Sequence, residues 1–275
     1  MSSTVKEKRA AFKALHEQGC FVIPNPWDVG SAKMLQGLGF KALASTSSGY
    51  AWSSGCADGA MSRDSVLAHL RTLVAATDLP VNADFESGYA ADPEGVAISV
   101  RMAIDTGVAG LSIEDASGDP AMPVRDISDA VDRLRAARRA IDDAGGDTLL
   151  VGRAENFLLG RPDLTDTIAR LKAYAQAGAD CLYAPGLHTR EQILAVVAAV
   201  APKPVNLLIG GATAFNVQDV AAMGVRRISV GGALARTAWA GFLQAAQEIA
   251  EQGEFKAFAH AASGQTLNQF FQKKG

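Results

Sequence analysis

The chain has few cysteines, and they show no pairing. Its three cysteines, Cys20, Cys56 and Cys181, form no CxxC motif and have no Cys/His spacing of the kind that binds zinc. An odd number of cysteines without such spacing argues against a disulfide framework and against structural zinc. We therefore expect a protein of the reducing cytoplasm.

Long apolar segments are also lacking. No run of about 18 apolar residues, the length that crosses a bilayer, occurs in the sequence. Residues 1–9 are mostly polar and lack the apolar core of a signal peptide. We expect no membrane association.

The chain also has no excess of positive charge. The chain carries 26 basic and 29 acidic residues, which gives a formal net charge of −3. Such a balance creates no basic field that would attract nucleic acid or an anionic membrane. A small-molecule partner is expected instead.

What the chain does have is enough apolar residues for one large core. It has 275 residues, of which 48% are hydrophobic. A single (β/α)8 barrel usually needs about 250 residues. We therefore expect one domain that spans residues 1–275.

Short strand-like runs alternate with segments of helical apolar spacing, which is clearest over residues 130–144 and 165–177. The candidate strands lie near residues 19–23, 39–43, 79–81, 107–111, 148–151, 178–182, 204–205 and 224–228. Alternating strands and helices predict a parallel sheet in the α/β class. Eight such units, and no GxGxxG motif after the first strand, favour a closed (β/α)8 TIM barrel over an open doubly wound sheet.

The C-terminal part is longer than a minimal barrel requires. Residues 233–251 have the pattern of a helix, and residues 254–274 predict further helical segments that are interrupted at Ser263 and Gly264. The aromatic residues of this region are more than a detached extension would expose. We expect residues 233–275 to form helices that take part in oligomerisation.

Polar residues follow several of the predicted strands directly. These residues are Asn82, Asp84, Glu86, Glu114, Asp115, Arg153 and Glu155. In a parallel barrel the carboxyl ends of the strands meet at one rim, so these side chains would converge there. Acids at such a rim can hold a divalent cation, and an arginine can hold a carboxylate. The pattern indicates an enzyme active site.

Three segments carry a resemblance to a known family. The runs VNADFESGY at 81–89, GLSIED at 110–115 and GRAENF at 152–157 resemble the isocitrate lyase and phosphoenolpyruvate mutase superfamily, over roughly residues 10–250. Members are magnesium-dependent (β/α)8 barrels that act on 2-oxo acids through an enolate. The resemblance implies Mg2+, with Mn2+ as an alternative ion. It also implies a homodimer or homotetramer in which a C-terminal helix is swapped between subunits.

The resemblance assigns a metal site. Asp84 matches the main metal-holding aspartate, and Glu114 matches the glutamate that holds the metal through water. Asn82 stands where many members have a second aspartate, which implies a lower negative charge around the metal. The longer segment after Asp84 leaves Glu86 as a substitute ligand.

Substrate contacts are implied in the same way. Asp58 matches an aspartate that binds metal-bound water, and we expect it to be a catalytic residue. Arg153 matches the arginine that clamps the substrate carboxylate, as both a catalytic and a binding residue. Ser45, Thr46 and Ser47 match a polar turn that holds the other end of the substrate.

Other polar residues have simpler interpretations. We expect Asp28 to cap a helix and Asn206 to be a hydrogen-bonded polar residue inside the barrel. Glu155 can belong to the site or form an ion pair with a neighbouring arginine.

The histidines His16, His69, His188 and His260 show no ligand spacing and are interpreted as surface or core residues. Cys56 is interpreted as a small buried hydrophobe rather than as an acid.

The loop after Glu114 decides between reactions. Carbon–carbon lyases of the superfamily carry a Cys-Gly-His segment there, whereas residues 115–125 contain neither Cys nor His. The asparagine of the mutases and the threonine of the phosphonopyruvate hydrolases are not evident either. We expect a Mg2+-dependent lyase that cleaves a small 2-oxo acid, as in oxaloacetate decarboxylation, where solvent can protonate the enolate. The alternatives are phosphoryl migration between phosphoenolpyruvate and phosphonopyruvate, and a dicarboxylate-binding barrel without turnover.

Overall fold

The computed structural model describes residues 3–272, and these residues form a (β/α)8 barrel. Its eight parallel strands are ordered β1-β8-β7-β6-β5-β4-β3-β2. The strands are β1 (Phe21–Ile23), β2 (Leu43–Ala44), β3 (Val81–Asp84), β4 (Gly110–Glu114), β5 (Leu149–Arg153), β6 (Cys181–Tyr183), β7 (Val205–Leu208) and β8 (Arg227–Ser229). The backbone N–H of Ala44 donates to the carbonyl O of Pro24 at 3.0 Å and so bridges β1 and β2. The predicted fold and strand positions are confirmed.

Helices follow the strands and surround the barrel. They are α1 (Val5–Leu15), α2 (Val29–Gly37), α3 (Ser47–Ser53), α4 (Arg63–Ala76), α5 (Pro93–Ile104), α6 (Ile127–Asp143), α7 (Leu164–Gln176), α8 (Arg190–Val200), α9 (Val217–Ala222), α10 (Ala233–Gln252) and α11 (Gly264–Gln272). Asp28 caps α2, as predicted, because its carboxylate accepts a hydrogen bond from the backbone N–H of Ser31 at 2.7 Å. Gly107 follows α5 with a φ of 88°, which explains the need for glycine there.

The main core lies between the sheet and the surrounding helices. A second, smaller cluster closes the end of the barrel at which the strands begin. There Phe12 of α1 packs with Ile23, Ala109 and Leu149, and its side chain is fully buried. A Cβ at Gly110 would come within 2.8 Å of the Phe12 ring, so this glycine lets the ring fit. The barrel is therefore plugged at one end.

The C-terminal extension is helical, as predicted, and lies largely outside the barrel. Only Ala235 is buried among the residues of α10. A short 3-10 helix, Lys256–His260, folds back on α10, and Glu248 accepts a hydrogen bond from the backbone N–H of Ala257 at 3.1 Å. Helix α11 contacts α2 of the same chain, and the Phe270 ring lies so close to Gly37 that a Cβ there would not fit. The exchange of a helix between subunits stays a prediction.

No helix within residues 3–272 is both long enough and apolar enough to cross a membrane.

Candidate active site

A cavity of about 540 Å³ opens at the rim where the strands end. Seven residues that were predicted as site residues line it: Ser45, Thr46, Ser47, Asp58, Asn82, Asp84 and Arg153. Glu114 and Glu155 lie behind this lining and contact Arg153. The strand ends therefore bring together the polar residues that the sequence places after β3, β4 and β5.

Arg153 lies at the centre of this group. Its Nη1 atom is 3.1 Å from Oδ1 of Asp84 and 3.2 Å from Oε2 of Glu114, and its Nε donates a hydrogen bond to Glu155. The register explains the contact, because Glu114 of β4 pairs with Arg153 of β5. Glu155 is thus the ion-pair partner of Arg153, one of the two interpretations that the sequence leaves open.

The polar turn after β2 positions Asp84. The Ser45 hydroxyl accepts a hydrogen bond from the Asp84 backbone N–H at 2.8 Å, and the Ser47 backbone N–H donates to Asp84 Oδ2 at 3.0 Å. The Thr46 hydroxyl accepts from the Gly49 backbone N–H at 3.3 Å and caps α3. The substrate contact expected of this turn stays a prediction.

The buried carboxylates outnumber their basic partner. Burial raises the pKa of Glu114 well above its usual value; Arg153 opposes this effect, while Glu155 and Asp84 add to it. Burial likewise raises the pKa of Glu155. Burial disfavours the charged form of Arg153, but Glu114 and Glu155 together raise its pKa well above the usual value. Three carboxylates thus share one guanidinium, and the charged forms of Glu114 and Glu155 are disfavoured unless another cation joins them.

The donor set fits a magnesium ion. Asp84 Oδ1 and Glu114 Oε2 both point at the Arg153 Nη1 atom, so both can reach one cation that takes its place. Mg2+ needs only one or two protein carboxylates and keeps several waters. Within residues 3–272, no three His, Cys, Asp or Glu side chains are grouped to hold a metal, so the fit depends on these two carboxylates.

Asn82 and Glu86, the weaker candidates for metal ligands, both form hydrogen bonds within the chain. Asn82 is 3% exposed, and its Nδ2 donates to the carbonyl O of Ala83 at 3.1 Å. The Glu86 carboxylate accepts a hydrogen bond from the Tyr89 hydroxyl. Glu86 and Tyr89 have φ angles of 46° and 53°, values that non-glycine residues seldom adopt, so this segment is strained. Metal binding by either candidate stays a prediction, as does the catalytic role of Asp58.

Several lining residues were not identified from the sequence, and four of them have side chains that can contact a ligand or position the strand ends. These residues are Asn25, Tyr183, Arg227 and Arg236. Asn25 connects three strand ends, because it donates to Ser45 O and accepts from the backbone N–H groups of Val230 and Gly231, each at 2.9 Å. Tyr183 ends β6, and its ring lies 5.2 Å from the Arg153 guanidinium. Their positions at strand ends are the signal that could have identified Asn25 and Tyr183.

The loop at residues 115–125 is a short hairpin. An antiparallel bridge joins Ala116 to Val124, and the Arg125 backbone N–H donates to Asp115 O at 2.8 Å. The Arg125 guanidinium forms an ion pair with Asp129 at 3.0 Å. The one arginine of this loop is thus paired with an acid of helix α6.

Cys56, His188 and Asn206 are residues to which no direct role in catalysis was assigned from the sequence. The interpretation of Cys56 as a buried hydrophobe is wrong: the residue is exposed, because the segment that follows α3 runs along the surface. His188 is exposed, as expected. Asn206 is 1% exposed and is hydrogen-bonded to Ser229 and Arg227, which confirms the prediction for this residue.

Comparisons with known proteins agree with this geometry. The profile of the phosphoenolpyruvate phosphomutase family matches residues 12–250. A crystal structure from Burkholderia cenocepacia, provisionally described as a lyase/mutase, superposes with a TM-score of 0.94 at 46% identity and covers 98% of each chain.

Curated relatives are more distant. An uncharacterised protein of Mycobacterium tuberculosis is 31% identical over 226 residues, which are 80% of this chain and 81% of its own. The oxaloacetate decarboxylase of Paraburkholderia xenovorans is 29% identical over 220 residues, which are 75% of this chain and 69% of its own.

Proposed function

Because this chain belongs to the phosphoenolpyruvate phosphomutase family, which makes it an enzyme of the superfamily of lyases and mutases, we propose that it is a Mg2+-dependent lyase. Its substrate is a small 2-oxo acid, and oxaloacetate decarboxylation is the simplest case. The observation that carries the proposal is the convergence of Asp84 and Glu114 on one atom, Arg153 Nη1, at the wall of an open cavity.

Each residue has a distinct task in this proposal. Asp84 and Glu114 would hold the cation, and the Ser45 and Ser47 contacts fix the orientation of Asp84. The cation supplies a Lewis acid that stabilises negative charge on the substrate carbonyl as the adjacent bond breaks. Once relieved of Asp84 and Glu114, Arg153 can pair with the substrate carboxylate, while Glu155 keeps its guanidinium in place.

The loop at residues 115–125 favours decarboxylation. It offers no Cys or His to protonate an enolate, and loss of CO2 leaves an enolate that solvent can protonate. Its arginine, Arg125, is paired with Asp129 and does not line the cavity. Phosphoryl transfer requires positive charge around the migrating group. Decarboxylation gains instead from a wall of low charge near the departing carboxylate.

A direct assay tests the proposal. The purified chain is incubated with oxaloacetate and Mg2+, and CO2 release is compared with Mg2+ alone and with enzyme in excess chelator. We expect turnover well above that of Mg2+ alone, and its loss with the chelator. Phosphonopyruvate is tested in parallel by phosphorus NMR, with no conversion expected.

The opposite results have clear meanings. Conversion of phosphonopyruvate without CO2 release would support the mutase alternative. Calorimetric binding of oxaloacetate without turnover of any 2-oxo acid in a panel would support a non-catalytic dicarboxylate binder.

A further inference from the structure

Arg227 of β8 is a buried cation at the floor of the cavity. We infer that it forms an anion subsite for a second carboxylate of the substrate, one that the product retains. This inference deepens the proposed function and rests on it for the position of the 2-oxo group. The subsite lies below the metal-binding rim and involves Asn82 and Asn206.

The partners of Arg227 are neutral. The residue is 3% exposed; its Nε donates to Asn206 Oδ1 at 2.8 Å, and its Nη1 lies 3.5 Å from Asn82 Oδ1. Nη1 is also 3.5 Å from Nε2 of His16. Burial and the charge of Arg227 lower the pKa of His16 to about 3, so this ring is neutral at physiological pH.

The charge of Arg227 has no counter-ion nearby. Among residues 3–272, no carboxylate forms an ion pair with its guanidinium, and its Nε and Nη1 contacts are all to neutral groups. Buried charges in proteins are normally paired, because removal from water costs free energy that only an opposite charge offsets well. Asn82, the nearest residue of β3, is also neutral. The missing negative charge can come from a ligand.

An anion can reach Arg227 from the rim. The cavity extends down past Asp84 to Asn82, Ser112 and Arg227. The opposite end of the barrel is closed by the cluster around Phe12. A group bound to Arg227 therefore belongs to a molecule that enters through the active-site mouth.

The distance between the metal-binding rim and Arg227 limits the length of the ligand. Asn82 and Asp84 are two positions apart on one strand and face the same side, so they are separated by about 6.6 Å along β3. This separation matches a short carbon chain with a carboxylate at each end. One end would lie at Asp84, Glu114 and Arg153, and the other at Arg227.

The bound carboxylate cannot be the one that leaves. A cation that holds a carboxylate in the ground state opposes its loss as neutral CO2, because the charge it stabilises disappears as the bond breaks. The group at Arg227 is therefore retained in the product. The substrate class that uses both ends of the cavity is therefore a 2-oxo acid with three carboxylates, whose decarboxylation yields a 2-oxo dicarboxylate. Oxaloacetate, which yields pyruvate, is the shorter member of the proposed substrates and leaves Arg227 without a carboxylate.

Product binding provides the test. Titration calorimetry with Mg2+ present compares 2-oxoglutarate, which has a second carboxylate, with pyruvate, which has none. We expect the unmodified chain to bind 2-oxoglutarate at least about tenfold more tightly. Arg227→Met should abolish this preference, so that the two acids bind with about equal affinity. The matched control is Arg226→Met, which removes the neighbouring arginine whose guanidinium donates to Gly19 O, and should keep the full preference.

A conservative variant covers the case in which Arg227→Met does not fold. Arg227→Lys keeps the charge and should keep part of the preference, whereas Arg227→Gln keeps polarity without charge and should lose it. Equal binding of the two acids by the unmodified chain, or a preference that survives both Arg227→Met and Arg227→Gln, would overturn the inference.

A metal-free measurement separates this inference from the proposed function. Succinate has two carboxylates and no 2-oxo group, and we expect it to bind without Mg2+ in an Arg227-dependent manner. If oxaloacetate turnover is absent but Arg227-dependent succinate binding is found, the proposed lyase activity fails and the subsite stands. If turnover is present but neither dicarboxylate binding depends on Arg227, only the subsite is wrong.

Discussion

Oδ1 of Asp115 accepts a hydrogen bond from the backbone N–H of Glu155 at 2.8 Å. This bond joins the end of β4 to the residues that follow β5. The other carboxylate oxygen of Asp115 accepts hydrogen bonds from the Tyr174 hydroxyl at 2.5 Å and from Arg170 Nη1 at 3.2 Å. A buried network thus fixes the strand end that carries Arg153 and Glu155.

Removal of the Tyr174 hydroxyl should destabilise the fold. Tyr174 is fully buried, so Tyr174→Phe leaves the Asp115 carboxylate with one donor fewer and no water to replace it. We expect the free energy of unfolding in urea to fall by about 1–3 kcal/mol. The control is Tyr50→Phe, whose hydroxyl makes a longer bond of 3.3 Å to Ser65 O and should cost about 0.5 kcal/mol or less. Equal losses in the two variants would contradict the role of the network.

Removal of the Asp84 carboxylate should abolish metal-dependent turnover. Asp84→Ala takes away one of the two acids that converge on Arg153 Nη1, while the rim position contributes little to the barrel core. We expect at least about a hundredfold loss of the rate with Mg2+, a weaker metal affinity by calorimetry and an unchanged circular dichroism spectrum. Asp119→Ala, an exposed acid of the loop at residues 115–125, is the control. Normal metal-dependent turnover by Asp84→Ala would rule out the assignment.

His16 should make the fold less stable in acid. In the folded chain burial and Arg227 lower the pKa of His16 to about 3, whereas the unfolded chain keeps a value near 6.5. Between these values the unfolded state binds the extra proton, so stability that is present above pH 6.5 is lost as the pH falls toward 3.

A histidine substitution measures this effect. Between pH 7.5 and pH 5.0 the unmodified chain should lose about 1–2 kcal/mol of unfolding free energy relative to His16→Gln, when both are measured in urea. His188→Gln, which changes an exposed histidine, should follow the unmodified chain. Parallel pH profiles for the unmodified chain and His16→Gln would show that His16 does not contribute.

Helix α10 should mediate association between copies of the chain. Its exposed residues include Phe242 at 60% and Leu243 at 49%, and only Ala235 is buried within the single chain. We expect a dimer or tetramer by light scattering, and a lower mass for Phe242→Glu and for a chain truncated after Glu251, because both remove apolar surface from the interface.

The association has its own control. Ile98→Glu changes an apolar residue of α5 that is 43% exposed, and should leave the mass unchanged. A monomeric parent, or a parent mass retained by both α10 variants, would argue against an interface at this helix.

The sequence by itself determined the barrel and the composition of its rim. Glycines such as Gly107 end helices because they adopt positive φ, and the apolar runs between them form the strands, so local chemistry was enough to place all eight. Asp84, Glu114 and Arg153 could be assigned to one site because parallel strands have their carboxyl ends at the same rim.

Tertiary structure alone decided how those residues are partnered. The register puts Glu114 beside Arg153, and this contact leaves a guanidinium among three carboxylates. Arg227 lies within a strand pattern that could face the helices or the barrel interior, and only packing against His16, Asn82 and Asn206 places its charge at the cavity floor. Cys56 is exposed because of the path of its loop. Such contacts join residues far apart in the chain, so local sequence patterns do not encode them.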